Sequence, residues 1–135
     1  MCDSFVGKWQ LVESDKFDDY MKEVGVGFVT RKAAGSLKPL LEVTLDSDKI
    51  KMHSTSTFKN HTMEFKLNEE TELDTADGRK MKSTFEVVDG KLIQHEKPIS
   101  ASDKPSEITR WIEGNKLIMT LKSGDVICKR VYEKQ

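Results

Sequence analysis

Three side chains combine type and spacing in a way that could hold an anion. Arg110 sits in Ile108-Thr109-Arg110-Trp111-Ile112 and shares strand parity with Ile108 and Ile112. Alternation therefore points a guanidinium to the apolar side of a strand. A buried, unpaired charge is costly, so such a residue needs an anion or a hydrogen-bonded partner. Near the C-terminal end, Val126, Cys128, Arg130 and Tyr132 share one parity. Two guanidiniums and a phenol directed inward would bind a carboxylate, because guanidinium offers a forked set of donors and tyrosine adds one more. Alternation alone leaves the opposite orientation of the last run open, with Ile127 and Val131 inward and Arg130 and Tyr132 in solvent.

The other chemistry-bearing residues form no recognisable constellation. His53, His61 and His95 are isolated, without the H-E-x-x-H spacing that puts two ligands on one helix face, so each is expected at a surface or strand position. Gly25-Val26-Gly27 lacks the third glycine of a dinucleotide loop and follows a helical pattern rather than a strand. Asp46-Ser47-Asp48 has neither the glycine nor the glutamate of a calcium loop and reads as a hairpin turn. No local motif marks a nucleophile among the serines. Cys128 is expected to be a small interior packing residue; the rival reading is a thiol made reactive by Arg130. With no recognisable general base and no metal set, the sequence favours a binder without a cofactor. The rival class is a barrel enzyme acting on a lipid.

The chain has 135 residues and a mass of 15.4 kDa, enough for one core-bearing domain over 1–135. Lys and Arg number 22 against 23 Asp and Glu, giving a net charge of −1. No global field recruits nucleic acid, although a local basic patch stays open. Met1-Cys2-Asp3-Ser4-Phe5 has no basic region leading into an apolar run, so no signal peptide is expected. No apolar stretch approaches the about 20 residues of a membrane span. Cys2 and Cys128 lie near opposite ends and form no disulfide framework, which fits a reducing cytosol. There the glycosylation sequon Asn60-His61-Thr62 would be idle.

Positioning those side chains falls mostly to strands. Residues 5–13 alternate, with Phe5, Trp9 and Leu11 on one parity, and predict a strand with one buried face. Phe17, Tyr20, Met21 and Val24 then fall at i, i+3, i+4 and i+7, which predicts a short amphipathic helix with Asp15 as N-cap. Gly25 and Gly27 break it, and a second helix runs from about Phe28 to Ala34, with Gly35 as its stop. After Pro39 the period is two throughout. Turn signals at Asp46-Ser47-Asp48, Asp77-Gly78, Asp89-Gly90, Gly114-Asn115 and Ser123-Gly124 separate the runs. About ten short strands result. One antiparallel meander of that length, apolar on a single face, must curl to bury that face and remove its open edges. A barrel of about ten strands leaves room for a small ligand, and the helix pair serves most simply as a lid.

Several segments together resemble one family. Gly7-Lys8-Trp9-Gln10-Leu11, followed by Phe17-Asp18-Asp19-Tyr20-Met21, is similar to the N-terminal signature of the intracellular lipid-binding proteins. Val24-Gly25-Val26-Gly27-Phe28-Val29-Thr30-Arg31-Lys32, Ser56-Thr57-Phe58-Lys59-Asn60 and Thr75-Ala76-Asp77-Gly78-Arg79-Lys80 continue the match. It ends on Cys128-Lys129-Arg130-Val131-Tyr132-Glu133-Lys134 and is nearest the adipocyte, heart and myelin P2 branch. The resemblance implies an all-β fold, a ten-stranded antiparallel up-and-down barrel capped by a helix-turn-helix. It implies a non-enzymatic monomer, cytoplasmic and in some settings nuclear, that transports a long-chain fatty acid such as palmitate or oleate. The family's carboxylate triad, Arg-x-Tyr on the last strand plus an arginine two strands earlier, falls on Arg130, Tyr132 and Arg110. Phe58 matches its portal aromatic, and Phe17, Met21, Met119 and Leu121 match cavity walls. Retinoic-acid binders keep the same trio and supply the alternative ligand; retinol binders replace arginines with glutamine and are disfavoured.

Two departures from the family pattern stand out. Lys16 occupies a position just ahead of the first helix where the family usually has Asn, His or Gly. The loop Pro98-Ile99-Ser100-Ala101-Ser102-Asp103-Lys104-Pro105 is about three residues longer than usual and lacks a common tryptophan, which bears on one cavity wall. Lys22, Arg31 and Lys32 fall on the cap helices. Read plainly they are solvated helix faces; the resemblance adds a patch for anionic membranes or nuclear import.

Overall fold

Ten strands follow one another along the chain, with two cap helices between the first and the second. In the computed structural model the described residues are 3–57, 60–76 and 78–135. The strands are β1 (Gly7–Asp15), β2 (Leu40–Asp46), β3 (Lys49–Thr55), β4 (His61–Lys66) and β5 (Thr71–Asp74), then β6 (Lys80–Val88), β7 (Lys91–Pro98), β8 (Ser106–Glu113), β9 (Lys116–Ser123) and β10 (Val126–Lys134). The helices α1 (Phe17–Glu23) and α2 (Phe28–Gly35) lie between β1 and β2. All ten strands form one sheet in the order β4-β3-β2-β1-β10-β9-β8-β7-β6-β5, and every recorded pair is antiparallel. The expected up-and-down barrel is therefore the fold.

Turn chemistry sets the hairpins. Asp89 and Gly90 both take positive φ (51° and 79°), the paired conformation whose twist suits a two-residue hairpin loop between β6 and β7. Along most strands the burial alternates, for example on β7, where Leu92, Gln94 and Glu96 are buried. The inner faces supply one core that includes Trp9, Leu11, Phe65, Phe85, Leu92, Leu117 and Tyr132.

Closure is completed differently at two places. β1 pairs with β10, with Trp9 opposite Lys134 and Leu11 opposite Tyr132, and a bulge between Leu11 and Glu13 adds local bend. β4 and β5 end the sheet order and face one another without a ladder among the described residues. Side chains and the connecting turn close that seam. Phe65 on β4 stacks on Phe85 of β6 at 3.5 Å between ring centroids, and the Asn68 N–H donates to the Phe85 carbonyl at 2.7 Å. His61 Nε2 lies 2.7 Å from the Asp74 carbonyl oxygen across the same seam.

Three local expectations are corrected. Phe5 belongs to a 3-10 turn (Asp3–Phe5), not to β1; it is nonetheless buried, and its carbonyl accepts the Trp9 indole N–H at 2.9 Å. Asp15 ends β1, and the residue capping α1 is Lys16, in the left-handed region at φ 61°, without a side-chain cap. The chain must reverse sharply from strand to helix there, which takes a left-handed residue rather than an extended Asp. Gly35 is the last residue of α2 rather than its stop, and Ser36 caps it at φ −92°. The long 98–105 loop is tied down: Lys104 Nζ lies 3.2 Å from Glu23 Oε1 at the end of α1, and Ser123 Oγ donates to the Pro105 carbonyl at 2.8 Å.

Candidate ligand-binding cavity

The pairing register brings the two arginines together. Met119 on β9 is opposite Arg110 on β8 and opposite Arg130 on β10, so the three form one row across neighbouring strands. Strands lie about 4.8 Å apart, which puts the two arginine Cα atoms about 10 Å apart with their side chains on the same face. That face is the inner one: Arg110, Arg130 and Tyr132 are 5%, 7% and 5% exposed, whereas Ile127 is 52% exposed. The orientation with Arg130 and Tyr132 in solvent is thereby excluded. Val131 is also buried, but beside its cross-strand partner Ile118 and outside the main core.

All three line an internal cavity of about 250 Å³. Phe17, Met21, Met119 and Leu121 line it too, where the sequence expected walls. Phe58 lies outside the described residues. Other parts of the lining come from the cap (Tyr20, Val24, Val26) and from the seam (His61, Leu73, Asp74, Arg79).

The two guanidiniums have different surroundings. Arg110 Nη1 donates to Gln94 Oε1 at 3.0 Å, and Gln94 Nε2 donates in turn to Glu96 Oε2 at 3.2 Å. Burial pushes the Arg110 guanidinium below its usual range, while Tyr132, Glu96 and Tyr20 draw it back up. Arg130 stands with its Cζ 3.8 Å from the centroid of the Phe17 ring, a cation–π contact from the first helix. Its Nε is buried without a hydrogen-bond partner among the described residues. A planar donor fork with an orphaned N–H, beside a buried phenol, is suited to an anion that offers two oxygens. The neighbouring Cys128 is fully buried, and its thiol is pushed up to about 11 because desolvation outweighs the lowering by Arg130. The packing role fits; the reactive thiol does not.

The three cap cations are unlike one another. Arg31 donates from Nε to Asp18 Oδ1 at 3.1 Å and from Nη1 to the Val26 carbonyl at 2.8 Å, so it clasps α2 to α1. Lys22 and Lys32 are exposed. Beside them, Phe28 and Val29 on α2 are 65% and 81% exposed, an apolar pair that periodicity over one short helix could not assign to the outside. Gln94 and Glu96 were missed as well; the signal available was their shared parity with Leu92. Among the described residues, no group of three or more His, Cys, Asp or Glu could hold a metal ion, and no helix is long and apolar enough to cross a membrane.

Known proteins share both sequence and shape with this chain. Residues 6–135 match the sequence profile described as the lipocalin / cytosolic fatty-acid binding protein family. Fatty acid-binding protein homolog 6 of Caenorhabditis elegans is 50% identical over 135 residues, covering 100% of both chains. The crystal structure of apo Caenorhabditis elegans lipid binding protein 8 superposes with a TM-score of 0.97 at 38% identity, covering 100% of this chain and 98% of that one. A Schistosoma mansoni fatty acid binding protein, solved in complex with arachidonic acid, gives a TM-score of 0.91 at 36% identity, covering 98% of this chain and 97% of the other.

Proposed function

The chain belongs to the lipocalin / cytosolic fatty-acid binding protein family, and from that premise we propose that it binds one long-chain fatty acid reversibly in its cavity and carries it through the cytoplasm. Arg130 and Tyr132 hold the carboxylate, with Arg110 as the third member of the set. The observation that carries this is the buried Arg130 fork, whose Nε has no partner among the described residues. An alkyl chain supplies most of the affinity. Burying about 14 methylenes at about 0.8 kcal/mol each contributes about 11 kcal/mol gross, against association costs of about 4–15 kcal/mol. The charged contacts then fix which end goes deep. The protein holds its ligand without transforming it.

We infer further that the cap meets anionic membranes during transfer. Phe28 and Val29 present apolar surface, and Lys22 and Lys32 lie exposed on the same cap. Arg31 contributes indirectly, by holding the two helices together.

Calorimetry with a fatty acid and a fatty alcohol of equal length tests the carboxylate site. Arg130→Gln should weaken the acid by about 2–5 kcal/mol, since one partner of a buried ionic contact is removed, and the alcohol much less. Equal losses for both ligands would remove Arg130 from the site.

A further inference from the structure

Glu96 is a buried acid on the inner wall of a cavity whose binding function, as read above, concerns only a carboxylate and a hydrocarbon chain. It is 7% exposed and lines the cavity. It is the middle of a polar row across three strands, opposite Ser83 on β6 and opposite Ser106 on β8, and these serines are 0% and 6% exposed. Tyr20 of α1 donates to Ser106 Oγ at 2.8 Å, so the cap helix reaches the row. Gln94 links it to Arg110. Among the described residues the buried Ser83 hydroxyl oxygen has no hydrogen-bond partner, an arrangement that costs free energy unless something completes it.

Of the row, Glu96 lines the cavity, with Ser83 and Ser106 beside it on the neighbouring strands, and a wall carrying this carboxylate is a poor surface for methylenes. A carboxylate accepts about four hydrogen bonds, and a serine hydroxyl both donates and accepts. The group that matches both at once is an alcohol, which donates to the carboxylate and accepts from the serine. We propose that the row Ser83–Glu96–Ser106 is a second polar subsite, and that the preferred ligand is a long-chain fatty acid bearing a hydroxyl on its chain. This rests on the carboxylate being held at Arg130. It adds a selection among acyl chains that an apolar pocket alone makes only weakly, because a site built to pair a hydroxyl discriminates against ligands lacking it.

The test is displacement of a fluorescent fatty acid by stearate and by a series of monohydroxystearates with the hydroxyl at different carbons. At least one isomer should bind the parent protein about ten-fold more tightly than stearate, a ratio typical of one charge-assisted hydrogen bond. Ser83→Ala and Glu96→Gln should each bring that ratio down toward one while stearate still binds. Ser83→Ala removes a hydroxyl that bonds to nothing among the described residues, so it keeps the test sound even where Glu96→Gln unsettles Arg110. Stearate binding with no isomer preferred, or a preference unchanged in both variants, would overturn the subsite alone. Failure of stearate itself to bind would overturn the fatty-acid reading and this inference with it.

Discussion

Burial decides what the two interior charged or titratable neighbours on β10 can do. Cys128 and Arg130 are two residues apart on the inner face. The thiol is raised from its ordinary 9.0 to about 11 by desolvation. The unfolded chain therefore releases this proton first as pH rises. The contribution of the neutral thiol is complete below pH 9.0 and is lost as pH climbs through about 11. Denaturant midpoints measured across that window should fall more steeply for the parent than for Cys128→Ala; parallel curves would show that burial does not hold the proton. Arg110 was legible in the sequence from parity with Ile108 and Ile112 alone. Arg130 was not, because Ile127 and Val131 form an equally apolar opposite parity. The register with β9, Arg130 against Met119, and the burial of Arg130 beside the exposed Ile127 resolve it. Glu96 shares parity with Leu92, yet its type gives no sign of an inward position, because carboxylates are almost never fully buried unless paired.

At the level of elements, helix ends were harder to read than strands. The ten strands and their order of hairpins follow from period two and turn residues, which are repeated signals. The start of α1 depends on one backbone conformation. Lys16 holds φ 61° and ψ 25° with a full side chain, a conformation that costs about 1–2 kcal/mol for an ordinary residue. Lys16→Gly should stabilise the protein by about 1 kcal/mol, a rise in melting temperature of about 3 °C, while leaving ligand affinity unchanged. A lower melting temperature would mean that the lysine side chain contributes something the backbone argument omits. The cap also carries the transfer prediction. Delivery of a fluorescent fatty acid to vesicles should speed up with anionic lipid and slow with salt, as the Debye length shrinks from about 10 Å at 0.1 M to about 3 Å at 1 M. Lys22→Glu with Lys32→Glu should abolish the lipid dependence and leave solution affinity intact. Arg31→Glu belongs to a different experiment, because it would break the clasp to Asp18. A transfer rate indifferent to vesicle charge would point to release into water before uptake.

For the molecule as a whole, the sequence indicated a curled sheet but not where the curl would be left unlaced. That seam depends on β5 having only four residues and on Phe65 meeting Phe85 over it, a long-range contact with no local signature. The long 98–105 loop likewise gave no sign that it would be anchored to α1 through Lys104 and Glu23.

The pairing of β1 with β10 joins the two ends of the chain, and the Gln135 N–H donates to the Lys8 carbonyl at 2.9 Å. Among the described residues it is the single ladder between strands that are not consecutive in the chain. During folding, that ladder closes a loop spanning nearly the whole polypeptide, the slowest kind of contact to form. A circular permutant that links residue 135 to Asp3 and opens the chain at Glu69–Glu70 would begin at β5 and finish at β4. Every ladder would then join consecutive strands, and the unlaced seam would fall between the new ends. Such a chain should refold faster than the parent in stopped-flow measurements, with its native sheet order unchanged.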